Sequence, residues 1–181
     1  MSKFQTNKTI YQLKKEKGFS LLEVITVLFI ISLGLVGILA LIVQNVQTET
    51  ANRNKLIASQ LAQEGLELAR NMRGDNWLQG RGWSKGLNDN DCGGCPNYTM
   101  DYAMDYTGKK IEVNNIDEAV LQVNGEGYYV HDNTLEDSKF KRMITVDSSS
   151  VSSSSVSCKV KWKAHDRTHT YTADTVLYNW R

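Results

Sequence analysis

The 181-residue chain is long enough for one domain with an appendage. Its 41% apolar and 23% charged residues are ordinary for a globular protein, and one proline with 13 glycines excludes a collagen-like or proline-rich fibre. The 21 basic and 20 acidic residues leave a net charge of +1, which argues against a general nucleic-acid binder, whose footprint is a strong basic excess.

The charge is unevenly spread. Residues 1–18 hold Lys3, Lys8, Lys14, Lys15 and Lys17 against Glu16 alone, while the rest of the chain is mildly acidic. Residues 19–43 then read FSLLEVITVLFIISLGLVGILALIV, with Glu23 the single charge. A bilayer core of roughly 30 Å needs about 20 apolar helical residues, so the segment can span it. It shows no polar face, as a buried helix in a soluble core would. The basic residues precede it, so residues 1–18 are expected in the cytoplasm and the body outside it. An ordinary cleaved secretory signal fits less well, because the apolar run is too long and ends without a small-x-small site. A plain one-span anchor leaves Glu23 unexplained, since an acid inside an apolar span is costly and by default functional.

The string Lys17-Gly18-Phe19-Ser20-Leu21-Leu22-Glu23-Val24 resembles the processing site of type IV prepilins and pseudopilins. The resemblance implies that a prepilin peptidase cuts after Gly18, that Phe19 becomes the N-methylated N-terminus, and that Glu23, fifth in the mature chain, serves subunit assembly. Ser32-Leu33-Gly34-Leu35-Val36-Gly37 is similar to the spans of PilV-type minor pilins and of the I-class minor pseudopilin of type II secretion. Leu61-Ala62-Gln63-Glu64-Gly65-Leu66-Glu67-Leu68-Ala69-Arg70, Arg142-Met143-Ile144-Thr145-Val146 and Asn179-Trp180 resemble later parts of the same proteins. Many major pilins carry a proline where Ala40 stands here, which leans toward a minor subunit or a pseudopilin. The partners implied are other pilins or pseudopilins, the prepilin peptidase, an inner-membrane assembly platform and the lipid bilayer.

Past the span, Val46, Thr50, Ile57, Leu61, Leu68 and Met72 recur at helical steps among polar residues. The expectation is one helix over 19–73, about 80 Å long, apolar all round in its first half and amphipathic over 44–73, with a stop at Gly74 and Asp75. Heptads are not sustained, which disfavours a coiled coil. Residues 74–97 read as a glycine-rich loop pinned by Trp77 and Trp83. Strands are expected over 98–105, 119–123, 128–131, 139–146, 156–164 and 168–180, with a flexible serine connector over 148–155 and a turn at Asp166-Arg167. Val156, Cys158, Val160 and Trp162 alternate with Ser157, Lys159, Lys161 and Lys163, the mark of a strand with one buried face. The fold class is α+β: a long N-terminal helix, membrane-spanning in its first half, packed on an antiparallel β-sheet. The segments are 1–18 leader, 19–43 span and filament core, 44–73 amphipathic continuation, and 74–181 exported domain.

Three cysteines fit a disulfide in an exported domain, with one thiol left over. Cys92 with Cys95 is the favoured loop staple; Cys158 with either is the alternative. Redox catalysis is disfavoured because the pair lies in a loop, and two close cysteines without a second pair make a poor zinc site. Asp89 and Asp91, within Asn88-Asp89-Asn90-Asp91, are a weak calcium candidate: counted as an EF-hand loop, Gly94 falls correctly but Met100 stands where a bidentate Glu is required. His165 and His169 do not cluster on a hairpin, and His131 is alone. No catalytic constellation and no cofactor site is legible. The leading reading is a structural subunit, a minor pilin or pseudopilin. The rivals are a single-span anchored binding or adhesin domain that does not polymerise, and a membrane-tethered enzyme lacking its catalytic set. The expected location is the cytoplasmic (inner) membrane before assembly and a periplasmic or surface filament after it.

Overall fold

A computed structural model describes residues 18–87, 98–164 and 166–180. The elements are α1 (Leu21–Leu78), β1 (Tyr98–Met104), β2 (Lys110–Glu112), β3 (Val120–Val123), β4 (Tyr129–Val130), β5 (Asp137–Ser150), β6 (Ser153–Ala164) and β7 (Arg167–Tyr178). The arrangement is α+β and pilin-like, with one long N-terminal helix packed on a curled antiparallel sheet. The chain divides into two compact units, Met1–Gln47 and Thr48–Arg181, with the division inside α1.

In the first unit every described residue is exposed. No proline interrupts the helix, and its few hydroxyls bond back to it. Thr26 Oγ1 donates to Glu23 O (2.9 Å) and Ser32 Oγ to Phe29 O (2.8 Å), so these polar side chains need no partner from outside.

In the second unit the helix buries one stripe: Asn54, Ala58, Leu61, Ala62, Gly65, Leu66 and Ala69. Small residues recur along it at three- and four-residue steps, which lets the helix lie close to the sheet. At Gly65 a β-carbon would overlap the sulfur of Cys158 on β6. The sheet is antiparallel throughout. β5 is its spine: β1 and β3 pair with successive stretches of one edge, β6 takes the other, and β7 completes that side. β6 alternates as its sequence predicts, with Ser154, Val156, Cys158, Val160 and Trp162 inward. Val156, Cys158, Val160 and Trp162 meet Leu61, Leu66, Phe140, Ile144 and Val146 in the main core. A smaller cluster of Ala103, Val113, Ala119 and Met143 forms separately.

Two expectations are corrected. The helix does not stop at Gly74 and Asp75 but runs to Leu78. Gly80, at φ +65°, closes it: its N–H donates to Trp77 O (3.2 Å) and that of Arg81 to Asn76 O (2.8 Å), the paired bonds of a Schellman ending. The buried Asn76 amide donates to Trp83 O (3.1 Å) and Lys85 O (2.6 Å). Trp77 meets Trp180 edge-on, 4.7 Å between centroids. Such tertiary contacts outweigh the ~1 kcal/mol that a helical glycine costs against alanine. The serine run is also not a flexible connector. Residues up to Ser150 belong to β5 and those from Ser153 to β6, leaving Val151 and Ser152 as the turn. The buried Ser148 and Ser154 hydroxyls bond each other across the hairpin at 2.9 Å. β2, three residues long, has no counterpart among the expected strands.

The N-terminal segment as candidate functional site

Gly18, Phe19 and Ser20 precede the helix, non-helical and exposed. Nothing lies within 4 Å of a β-carbon built on Gly18. The Gly18–Phe19 peptide bond is thus exposed, non-helical backbone. Val24 N–H donates to Ser20 O (3.2 Å), which makes Ser20 the N-cap and Leu21 the first helical residue.

Glu23 falls in the first turn. Unpaired N–H groups there carry the positive end of the helix dipole, which favours a carboxylate. Ser20-Leu21-Leu22-Glu23 has the capping-box pattern, a Ser N-cap with Glu at the third helical position, and Phe19 and Val24 occupy the flanking hydrophobic-staple positions. That local signal is carried by the sequence alone and bears on Glu23 independently of any filament. No side chain among the described residues pairs with the Glu23 carboxylate.

Beyond Glu23 the surface is apolar in every direction. Phe29, Ile30, Val36 and Leu41 are each more than 60% exposed. From Leu21 to residue 43 the helix is about 34 Å long at ~1.5 Å per residue, against a hydrocarbon core of ~30 Å. α1 is the one helix among the described residues long and apolar enough to cross a membrane. Outside the helix's own backbone, nothing among the described residues lies within 4 Å of a β-carbon built on Gly34 or Gly37, so a second helix could approach there closely.

The remaining candidates do not join this site. Asp89, Asp91, Cys92 and Cys95 lie outside the described residues, as does His165. Cys158 is a free, fully buried thiol. Burial pushes it up to about 12, over a smaller downward pull from Arg142, so it is a protonated, inert packing group. His131 is buried, with Nδ1 2.9 Å from Val120 O and its backbone N–H donating to Asp105 Oδ2 (2.9 Å). Desolvation holds its pKa below the ordinary histidine range despite the neighbouring Asp105. Asp105 is itself held below the usual carboxylate range: burial pushes it up, but hydrogen bonds from His131 and Thr107 outweigh that. His169 stacks on Trp162, 5.4 Å between centroids. No group of three or more His, Cys, Asp or Glu side chains among the described residues could hold a metal.

The sequence could not announce Arg142, the largest fully buried side chain among the described residues. It donates to Leu61 O (3.2 Å) and Met104 O (2.6 Å) and pairs with Glu64 (3.2 Å), tying helix to sheet.

Residues 13–39, which contain Gly18, Phe19 and Glu23, match the family described as the prokaryotic N-terminal methylation motif. No curated protein and no solved structure matches the chain. The motif supports a type IV pilin-like protein of the kind processed by prepilin peptidase, a structural rather than catalytic family. With the apolar helix, it also supports an inner-membrane anchor followed by a C-terminal globular domain.

Proposed function

We propose that the protein is a structural subunit, a minor pilin or pseudopilin, of a type IV pilus or type II secretion-like filament. Residues 1–18 are its leader, removed by prepilin peptidase after Gly18. Phe19 becomes the N-methylated terminus, residues 19–43 anchor the subunit and then enter the filament core, and the domain beyond them faces away from the cytoplasm. Its partners are other pilins, the peptidase and an inner-membrane assembly platform.

The observation that carries this reading is the coincidence, within the residues matching the methylation motif, of an exposed Gly18–Phe19 bond, Glu23 in the first helical turn and an apolar helix. Removal of the leader creates a positive amine at Phe19. Two unit charges about 4 Å apart attract by roughly 4 kcal/mol at an effective dielectric near 20, before desolvation. A neighbour's amine can therefore neutralise Glu23 and set the axial offset between stacked helices, whereas a plain anchor needs neither the cut nor the acid.

Intact-mass measurement of protein extracted from its native membrane tests the proposal. The expected chain begins at Phe19 with one added methyl. A chain still beginning at Met1, in a host with active prepilin peptidase, refutes it.

A further inference from the structure

A cleft of about 580 Å³ opens in the Thr48–Arg181 unit, lined by Glu64 of α1, Tyr106 between β1 and β2, and Glu126, Tyr128 and Tyr129 around the β3–β4 turn. Two hydrogen-bonded turns build it. In the first, the Asp105 carboxylate accepts from Thr107 N–H (3.0 Å), the Thr107 hydroxyl (2.5 Å) and His131 N–H (2.9 Å), which holds the turn carrying Tyr106 against the end of β4. In the second, Asn124 Oδ1 accepts from Glu126 N–H (3.1 Å) and Tyr128 N–H (2.8 Å), while its Nδ2 donates to the Tyr106 hydroxyl (3.3 Å). Gly127, at φ +88°, makes that turn's geometry available. The Tyr106 and Tyr128 rings end 5.6 Å apart, both about half exposed. Tyr129 meets the core Phe140 edge-on at 5.9 Å.

The charge in the cleft is unbalanced. Glu64 is paired with Arg142, whereas no side chain among the described residues pairs with Glu126. Two accessible aromatic faces beside an uncompensated carboxylate attract a cation and repel an anion. Carboxylate and phenol oxygens also accept N–H bonds, which a primary ammonium can give and a quaternary one cannot. An aliphatic stem completes the fit by lying on the tyrosine faces.

We propose that this cleft receives a lysine side chain of a partner protein, its stem against Tyr106 and Tyr128 and its ammonium at Glu126. The inference is independent of the N-terminal segment and of whether the chain polymerises.

The test uses the full-length protein in lipid nanodiscs, with tyrosine rings labelled for NMR. The probes are N-acetyl-lysine N-methylamide, its uncharged norleucine analogue and choline. The lysine probe is expected to shift the Tyr106 and Tyr128 signals saturably, identified by Y106F and Y128F. Its affinity should fall by about fivefold or more in Glu126→Gln and in Tyr128→Ala, as expected from losing a charge partner or a cation–π face. The norleucine analogue should not saturate, and choline should bind more weakly. Both substituted residues are exposed, and Glu126→Gln keeps the side-chain shape, so it decides the question even if Tyr128→Ala perturbs the turn. Unchanged affinity in Glu126→Gln, no shift at either tyrosine, or equal binding of norleucine overturns the proposal. Choline binding as tightly as lysine also overturns it, in favour of a quaternary headgroup.

Discussion

Gly65→Ala sets two known effects against each other at one atom. Alanine is favoured over glycine in a helix by ~1 kcal/mol, so at an open position the change would stabilise the protein. At Gly65 the new methyl would overlap the Cys158 sulfur and approach Arg142 Cδ, which lies 3.5 Å from the ideal β-carbon. Overpacking of this kind costs ~1–3 kcal/mol. The sulfur cannot swing aside cheaply, because Cys158 is buried on a strand paired on both sides. Overlap with the sulfur puts the cost in the upper half of that range, leaving an expected net loss of about 1–2 kcal/mol, or roughly 3–8 °C in melting temperature for a domain of this size. Cys158→Ala alone leaves a small void and costs about 1 kcal/mol. The double variant places the new methyl where the sulfur was, so it should be more stable than the two single losses predict, with a coupling of about 1–2 kcal/mol. Thermal unfolding of the four proteins in the same detergent, followed by tryptophan fluorescence, measures this cycle. Additive losses, or a Gly65→Ala protein as stable as the parent, would refute the close packing of α1 on β6.

Glu23→Ala and Glu23→Gln should both leave membrane insertion and leader cleavage largely intact and impair crosslinking to partner pilins; normal assembly by both would reduce Glu23 to a helix-capping residue. The depressed pKa of His131 predicts stability that is complete above its unfolded value of about 6.5 and falls as pH drops below it, because the unfolded chain takes up the proton first. Acid melts of His131→Gln should lack that loss, and a parent-like pH profile would show that the facing Asp105, Lys109 and Arg142 leave His131 free to ionise. Cys158 should resist alkylation in the native protein at pH 8 and react on unfolding; rapid native labelling would contradict its burial. Non-reducing mass mapping should find Cys92 linked to Cys95, and a Cys158 linkage would overturn that pairing.

What was legible in the sequence is what the immediate surroundings of a segment dictate. The apolar span announces itself because bilayer thickness demands uninterrupted hydrophobicity, and Glu23 stands out against it. β6 is legible because one face is buried and the other solvated, so period two is written directly into Val156, Cys158, Val160 and Trp162. The rest depends on partners distant in the chain. Gly74 is a sound helix-stop signal locally, and contacts to Trp83, Lys85 and Trp180 override it. Serines read as flexible because their hydroxyls compete for backbone bonds, but at Ser148 and Ser154 those hydroxyls satisfy each other. The tyrosine cleft draws on three separated segments, so no local pattern marks it. In the N-terminal segment, the Gly18–Phe19 junction and Glu23 are adjacent in sequence and therefore readable together.

The buried Arg142 has a mechanical consequence. Ala58, Ala62, Gly65 and Ala69 leave low relief along much of the buried stripe, between the larger Leu61 and Leu66, and low relief resists separation from a sheet better than it resists being drawn lengthwise across it. Arg142 adds resistance in the core: it grips Leu61 O on the helix and Met104 O on the sheet at once, and any axial shift stretches these directional bonds. A pull transmitted along the Thr48–Leu78 part of α1 is thus borne in shear by the buried guanidinium together with the outer bonds from Lys139 to Asn54 Oδ1 (2.6 Å) and from Arg70 to Thr175 Oγ1 (3.1 Å). Arg142→Met, which keeps much of the bulk and removes the grip, should lower the force at which that part of the helix slips more than it lowers the heat the domain withstands.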